Sequence, residues 1–368
     1  MATQGIDPLA ESDRLEYFDA LHRGFERAAQ RAGETVEHYF EIAGQIVCVR
    51  FAGDGLAPHL TGALAHLAVP PRTPALTICV WDDVSTGTRL PLLVGSLVTL
   101  LRDRWWELID RRREIREYDG RRIRTSFFLG PDILSALDME RNLGLYWIQS
   151  EDRLPYWERG SPFLALLSWW MASRDRHYVH AGAVGHADGG VLLAGKGGSG
   201  KSTSALASLS AGLAYASDDY CLVADRPAPF VHSVYGTAKL KGRADFDRFP
   251  HLRERCSNLE RVGDEKALLF LREHYPERLV SGFPIRAVLL PRITDQPHAR
   301  LKDATSAEAF RALAPSTLLQ VPGAGPGLLQ ALGRLVKQVP AYHLELGADP
   351  ESIPKAIESV LAMAGTPS

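Results

Sequence analysis

The chain of 368 residues has few cysteines and little net charge, and both shortages exclude classes of protein. Its cysteines are widely separated, without a CxxC pair or the Cys/His spacing of a zinc site; they are Cys48, Cys79, Cys221 and Cys256. We expect reduced core thiols in a cytoplasmic protein, because cytosolic proteins rarely keep disulfides. The formal net charge of −2 provides no field that would attract nucleic acid or an anionic membrane.

Long apolar runs are also missing. No apolar stretch approaches the roughly 18 residues that a membrane-spanning helix needs. The longest candidate, 163–172, is short and predicts a buried helix. The first residues lack the basic and apolar regions of a secretory signal, which also favours a cytoplasmic location. We therefore expect neither a membrane nor nucleic acid among the partners.

The patterns along the chain predict two domains, in line with its length. Residues 1–150 predict an α+β domain, and residues 151–368 predict an α/β domain. The predicted elements of the first domain are a helix over 11–32 ending at Gly33, a hairpin over 36–51 turning near Gly44, and a hairpin over 113–128 with a type I′ turn at Asp119-Gly120. In the second domain, 285–290 is a continuous apolar run, typical of a strand covered on both faces.

The clearest chemical signal is a glycine-rich segment between a short apolar strand at 189–194 and a helical run. It fits the GxxxxGKS pattern of a phosphate-binding loop, with the residues Gly195, Lys196, Gly197, Gly198, Ser199, Gly200, Lys201, Ser202 and Thr203. Glycines let the backbone N–H groups face one anion, and the start of the helix adds the positive end of its dipole. We expect Lys201 to reach the terminal phosphates and the Ser202 hydroxyl to ligate Mg²⁺. The segment predicts ATP and Mg²⁺ as cofactors, the alternative being a glycine-rich turn that matches by chance.

The next acidic site is a pair of adjacent carboxylates, Asp218 and Asp219, after an apolar run. In a phosphotransferase, one carboxylate can take the proton of a hydroxyl acceptor while its neighbour holds the metal. A solvated turn is the alternative for such a pair. His180 precedes the loop in an apolar segment, where a lone histidine is more often structural than catalytic.

Together, the His180 segment, the GxxxxGKS loop and the Asp218-Asp219 pair resemble the HPr kinase/phosphorylase family of P-loop proteins, which is related in fold to ATP-dependent phosphoenolpyruvate carboxykinase. The resemblance covers 178–223 well and the rest of the C-terminal half in outline. It implies an α/β P-loop domain of this type and a homo-oligomer. It also implies that Asp218 activates an acceptor serine, that Asp219 serves the metal, and that His180 lies beside Asp218 as a proton-tuning group.

Two features depart from that family. Residues 1–150 do not resemble its N-terminal domain, and the segment 235–243 contains lysines where the family has a glutamate-containing signature. The chain is more similar to HPr-kinase-like enzymes found beside peptide natural-product genes, some of which phosphorylate lasso-peptide precursors on serine. The resemblance implies a kinase that transfers the γ-phosphoryl group of ATP to a serine of a protein or peptide, selected by the N-terminal domain. A small-molecule kinase and a non-catalytic ATP-binding regulatory module stay open as alternatives.

Further cations are expected near the transferred phosphoryl group, because negative charge spreads over its oxygens in the transition state. Lys239, Lys241 and Arg243 follow the aspartate pair, and Lys266 precedes an apolar run. Arg292 follows the strand over 285–290, at the end where α/β sheets place ligand groups. Lys266 and Arg292 are predicted together as phosphate contacts. Taken singly, each of these side chains is expected to be an exposed and solvated cation.

Overall fold

The computed structural model describes residues 9–364, without the side chains of residues 92–96, 243, 244 and 364. The chain forms two compact units: unit 1 comprises the residues up to Thr61 together with Ala68–Trp170, and unit 2 comprises Gly62–Leu67 together with the chain from Met171 onward. Each unit combines helices with a β-sheet, so the chain has the mixed α/β composition that the sequence predicts. In the described range, no helix is both long enough and apolar enough to cross a membrane.

The division between the units falls at Trp170, whereas the sequence predicts a boundary at residue 150. Two indoles account for the difference. Trp169 donates to the Glu114 carboxylate at 2.8 Å, and Trp170 donates to the Asn142 side-chain oxygen at 2.8 Å. Both acceptors belong to unit 1, so these bonds hold the helix that carries the two tryptophans to that unit.

Unit 1 is built on a six-stranded mixed sheet. Its helices and strands are α1 (Glu11–Ala32), β1 (Thr35–Ile42), β2 (Gln45–Ala52), α2 (Ala57–Thr61), β3 (Leu76–Asp82), α3 (Asp83–Thr86), α4 (Leu92–Asp103), α5 (Trp105–Leu108), β4 (Ile123–Phe128), β5 (Ile133–Asp138), β6 (Leu143–Ile148), α6 (Tyr156–Gly160) and α7 (Leu164–Ala172). The strand order is β1-β2-β3-β6-β5-β4. Strands β2, β3 and β6 run parallel, and the outer pairs run antiparallel.

Helix α1 and the hairpin after it confirm the sequence predictions. The helix buries Phe18, Leu21 and Phe25, which lie at helical spacing and so share one face. Gly33 ends it with a φ of 80°, and its N–H donates to the Ala29 carbonyl at 3.1 Å. Strands β1 and β2 then pair from Thr35↔Ala52 to Ile42↔Gln45 and turn at positions 43 and 44, both at positive φ.

The hairpin predicted over 113–128 is wrong in its first arm. Residues 113–118 make isolated bridges and no strand, and β4 pairs with β5 instead. Asp119 and Gly120 are not among the positive-φ residues of the described chain, so no type I′ turn forms there. The Asp119 carboxylate accepts from Arg124 Nε at 2.6 Å and from the Thr125 N–H at 3.2 Å. These bonds support an irregular loop where the sequence predicts a tight turn.

Unit 2 is built on a nine-stranded sheet and a separate two-stranded ribbon. Its helices and strands are β7 (His177–His180), β8 (Gly182–His186), β9 (Gly189–Leu193), α8 (Lys201–Ser210), β10 (Ala214–Ser217), β11 (Tyr220–Ala224), β12 (Phe230–His232), β13 (Thr237–Leu240), α9 (Arg243–Arg248), β14 (Ala267–Phe270), β15 (Gly282–Ile293), β16 (Arg300–Ala304), α10 (Ser306–Gln320), α11 (Pro326–Gln338), β17 (Ala341–Leu346) and α12 (Ser352–Ala364). Short 3₁₀ helices complete the described chain at Gly62–Leu67, Glu151–Arg153, Pro250–Arg255, Leu259–Arg261, Leu271–Glu273 and Pro276–Arg278.

Strand β15 organises the sheet of unit 2. The strands follow the order β10-β8-β9-β15-β12-β11-β7, with β17 also beside β15 and β16 beside β17. Strands β9 and β17 run parallel to β15, and the other pairs run antiparallel. The centre of β15 is buried, which confirms that 285–290 forms a covered strand. Because β9 lies in the middle of the sheet, the loop that follows it starts from a rigid position.

Candidate functional site

The glycine-rich segment 195–200 connects the buried strand β9 to helix α8, in the order strand, loop and helix that the sequence predicts. Gly195, Gly198 and Gly200 have φ angles of 155°, 83° and 107°, which side chains with a Cβ rarely adopt. A Cβ at Gly195 would lie 2.7 Å from Ser199 Oγ, and one at Gly200 would overlap Leu346. This path therefore requires glycine for its backbone conformation and for space.

The loop presents polar groups that the protein leaves unpaired. The N-cap of α8 is Gly200, so no side chain caps the first N–H groups of the helix. The Ser199 hydroxyl oxygen is buried and has no hydrogen-bond partner within residues 9–364. Uncapped N–H groups at the start of a helix favour an anion, because they combine free donors with the positive end of the helix dipole.

Lys201 is buried, and its ammonium group is turned onto the loop. Its Nζ donates to the carbonyl of Gly195 at 2.7 Å and to that of Lys196 at 3.4 Å. Burial lowers the pKa of Lys201, while the charges of Asp219 and Asp218 oppose that shift. The structure thus brings the predicted lysine and the predicted aspartate pair within electrostatic reach of one another.

Asp218 is the more deeply buried member of the aspartate pair. It is 3% exposed, and its Oδ2 accepts from the backbone N–H of Lys239 at 3.2 Å. Burial and the neighbouring charge of Asp219 raise the pKa of Asp218 to about 6, against the opposing effect of Lys239. A carboxylate with this pKa is ionised at neutral pH and binds a proton more readily than an ordinary aspartate, as a general base requires.

Asp219 is held ionised by two donors. Lys239 Nζ lies 2.5 Å from Asp219 Oδ2, and His180 Nε2 lies 3.0 Å from Asp219 Oδ1. Burial raises the pKa of Asp219, but Lys239 and His180 outweigh burial and hold that pKa well below its usual range. Two adjacent aspartates therefore have opposite shifts, as is typical of carboxylates with different roles.

The structure places His180 against Asp219, whereas the family resemblance places it beside Asp218. Strands β7 and β11 pair so that His180 lies opposite Tyr220, and the two rings are 5.4 Å apart. The Asp218 side chain instead contacts β13. The contacts therefore connect His180 to Asp219, the neighbour of Asp218 in the chain. The Nδ1 atom of His180 is buried and lacks a partner in the described part of the chain.

Lys239 is a site residue whose position the sequence reasoning did not anticipate. We expected a solvated cation, but its side chain is only 7% exposed and its neighbours on β13 are all buried. Its N–H binds Asp218 and its ammonium group binds Asp219. The sequence feature that could have indicated this is the position of the lysine in the short run Thr237-Ala238-Lys239-Leu240, because a lysine in a buried strand requires a partner.

Two more lysines approach the loop from the β13–β14 ribbon. The last pair of the ribbon is Leu240↔Ala267, so Lys241 and Lys266 extend from the same end. A methyl group at Gly198 would lie 3.8 Å from Lys241 Nζ. Lys241 and Lys266 both contribute to lowering the pKa of Lys201, although less than burial does. Within residues 9–364, neither forms an ion pair with a carboxylate, so their positive charges are not neutralised by the protein.

Within the described residues, no contact links Arg292 to these lysines. It follows the register of β15 and β17, which places it opposite Glu345, and its guanidinium group lies 2.5 Å from that carboxylate. Lys302 reaches the same carboxylate at 2.8 Å. A phosphate contact by Lys266 and Arg292 as a set stays a prediction, but the structure assigns the two side chains different surroundings.

A cleft lies beside the first turn of α8. Its lining includes Gly200 and Thr203 from the loop and helix, Arg248 from α9, and Ile293 at the end of β15. The Ile293 side chain is 63% exposed, which is unusual for a large aliphatic residue in a sheet. The cleft thus joins a polar, helix-terminal end to an apolar wall.

The fit of Mg²⁺ differs between its two predicted ligands. Ser202 fits, since its hydroxyl is on the first turn of α8 and is partly exposed. Asp219 fits poorly, because a cationic or N–H donor already occupies each of its oxygens. Among the described residues, no group of three or more His, Cys, Asp and Glu side chains is placed to hold a metal ion.

Comparison with known proteins gives a weak structural similarity. No family model matches the sequence, and no curated protein matches it significantly. The chain is similar to the structure of the HPr(Ser) kinase/phosphatase from Coxiella burnetii, with a TM-score of 0.28 and 10% identity. The alignment covers 51% of this chain and 95% of that one. A similarity at this level carries no argument about family or activity, and the functional conclusion has to come from the site.

Proposed function

We propose that this protein is an ATP-dependent phosphotransferase that phosphorylates a hydroxyl group, with a serine of a protein or peptide as the acceptor. One observation carries the proposal. The ammonium groups of Lys241 and Lys266 are within electrostatic reach of Lys201 at a glycine loop with an uncapped helix start, and neither has an ion-pair partner in residues 9–364. Asp218 and Asp219 offset part of this positive charge, and an anion with several charges would neutralise the rest.

The cleft beside α8 supports a nucleotide as that anion. A phosphate chain that starts near Lys201 and passes along the first turn of α8 would reach Thr203, where the cleft begins. The exposed Ile293 would then pack against an aromatic base, and Arg248 would lie on the polar side of the cleft. Mononucleotides need this combination of a charged and an apolar subsite.

The aspartate pair supports transfer in preference to binding alone. The acceptor oxygen attacks the γ-phosphorus, its proton passes to the Asp218 carboxylate, and the bond from the γ-phosphorus to the bridging oxygen breaks to release ADP. Lys201, Lys241 and Lys266 stabilise the charge on the equatorial oxygens and on the leaving group. Mg²⁺ that accompanies ATP, with Ser202 as a protein ligand, would neutralise part of the phosphate charge.

The test is transfer of labelled γ-phosphate from ATP by the full chain. The acceptors offered are serine peptides, the same peptides with alanine in place of serine, and a protein-free extract of small molecules. We expect label in the serine peptides only, and none with the Asp218→Asn variant. Label in the small-molecule fraction alone would identify a small-molecule kinase, and ATP binding without any transfer would identify a regulatory module. Either result contradicts the proposal.

A further inference from the structure

The cation that pairs with Asp219 is a side chain of the protein, the ammonium group of Lys239. Lys239 Nζ and His180 Nε2 occupy the two oxygens of Asp219 at 2.5 and 3.0 Å, as charge-assisted hydrogen bonds do. The Lys239 ammonium group cannot swing away freely, since its side chain is 7% exposed and its backbone N–H is bonded to Asp218. A divalent cation bound to Asp219 Oδ2 would have to displace that ammonium group or lie in contact with it.

The second carboxylate does not offer a free metal site either. Asp218 is 3% exposed, and one of its oxygens accepts from Lys239. No cluster of three or more metal-ligating side chains occurs in residues 9–364, and magnesium is usually held by carboxylates together with substrate phosphates. In contrast, the site holds four lysines, Lys201, Lys239, Lys241 and Lys266, for these two aspartates.

We infer that Lys239 is a fixed cation that takes the place of a protein-bound metal ion at the aspartate pair. Asp219 positions the Lys239 ammonium group and is not itself a metal ligand. The only divalent cation of the nucleotide complex is then the one that the phosphates and Ser202 hold. This inference deepens the proposed function, because it concerns the charge balance of the same phosphate site.

The direct test uses Mn²⁺ as the probe and measures its binding to the nucleotide-free full chain by electron paramagnetic resonance. We expect no bound Mn²⁺ in the wild type. Lys239→Met keeps the aliphatic stem and removes the ammonium group from Asp219 Oδ2, so this variant should bind one Mn²⁺ per chain, because carboxylate and imidazole are ligands that Mn²⁺ accepts. Adding Asp219→Asn to Lys239→Met should abolish that binding. Lys302→Met is the matched control, since Lys302 also pairs with a carboxylate, Glu345, and should gain no Mn²⁺.

A second measurement does not depend on the folding of the lysine variant. Calorimetric titration of ATP with Mn²⁺ present should give the same stoichiometry and the same Mn²⁺ requirement for Asp219→Asn as for the wild type. If Asp219 were a ligand, its loss would weaken metal binding by about ten- to a hundredfold, as for a lost charge-assisted contact. Bound Mn²⁺ in the nucleotide-free wild type, no gain in a folded Lys239→Met variant, or a raised metal requirement in Asp219→Asn would each overturn the inference. Absence of ATP binding by the wild type would contradict the proposed function, while the nucleotide-free experiment would still decide the role of Lys239.

Discussion

At the scale of single residues, two neighbouring aspartates have opposite electrostatic environments. Asp218 is buried beside a like charge, which raises its pKa to about 6. Asp219 is also buried, but Lys239 and His180 outweigh that burial and lower its pKa. The backbone explains how this arises, since Asp218 is bonded to β13 and Asp219 contacts β7 and the side chain of Lys239. We therefore propose that these adjacent positions serve as a proton acceptor and as an anchor for a cation.

Asp218→Asn should lower the rate of phosphoryl transfer by about a hundred- to ten-thousandfold, the usual contribution of a positioned general base. ATP affinity should change little, since in the proposed complex the loop and the lysines hold the phosphates. The variant should also melt at the same or a higher temperature. The raised pKa means that folded Asp218 binds its proton more tightly than Asp218 in the unfolded chain. Ionised Asp218 therefore costs stability, and this cost appears as pH rises from the pKa of the unfolded state to that of the folded state. Transfer near the wild-type rate would place the base elsewhere.

The pH dependence of transfer follows from the same shift. Above about pH 6 the Asp218 carboxylate is ionised and can accept the acceptor's proton, and below that pH it is protonated and inactive. The value of kcat/KM should therefore fall tenfold for each further pH unit of acidification below about 6. A profile that is flat down to pH 4.5, near the ordinary range of carboxyl groups, would contradict this assignment.

At the scale of elements, the β13–β14 ribbon brings lysines to the loop between β9 and α8. The ends of its two strands place Lys241 and Lys266 side by side, although the two residues are distant in sequence. The local order of strand, loop and helix was predictable, because it is written in one contiguous segment. The burial of Lys239 and the different surroundings of Lys266 and Arg292 could not be predicted from the sequence, because they depend on which strands pair and in which register.

The ribbon lysines should bind phosphate charge. Lys241→Met and Lys266→Met should each weaken binding of pyrophosphate by about tenfold, the typical loss of one charge-assisted contact. Lys337→Met, in the last turn of α11, is the matched control and should leave the affinity unchanged. Isothermal titration at one fixed salt concentration measures all three, because ionic strength screens such contacts. Equal affinities for the ribbon variants and the control would remove the ribbon from the site.

The cleft beside α8 should hold the nucleoside. Ile293→Ser should weaken ATP binding by about five- to twentyfold through lost apolar contact, and leave pyrophosphate binding unchanged. Met363→Ser in α12 serves as the control, since Met363 is likewise an exposed large apolar residue, at 56%. Loss of pyrophosphate affinity in Ile293→Ser would show that the substitution disturbs the loop, and an unchanged ATP affinity would place the nucleoside elsewhere.

At the scale of the whole molecule, the site residues that the structure brings together all lie in unit 2. Their positions in sequence span from His180 to Lys266, so several strands and the ribbon must pair correctly before the site exists. The sequence predicts two domains, and the compact units have a different boundary because the indoles of α7 bond to residues of unit 1. Such long-range hydrogen bonds leave no local pattern. Selection of the peptide substrate by the N-terminal domain stays a proposal.

The central claim is that the loop 195–203 binds the phosphates of ATP, and calorimetric titration of ATP into Lys201→Ala tests it most directly. Lys196→Ala is the matched control, because Lys196 belongs to the same loop and its side chain is exposed. Removing the buried ammonium group of Lys201 should weaken ATP binding by about ten- to a hundredfold. Lys196→Ala should bind like the wild type, since its backbone N–H is retained. Wild-type affinity in Lys201→Ala, or an equal loss in both variants, would contradict the account.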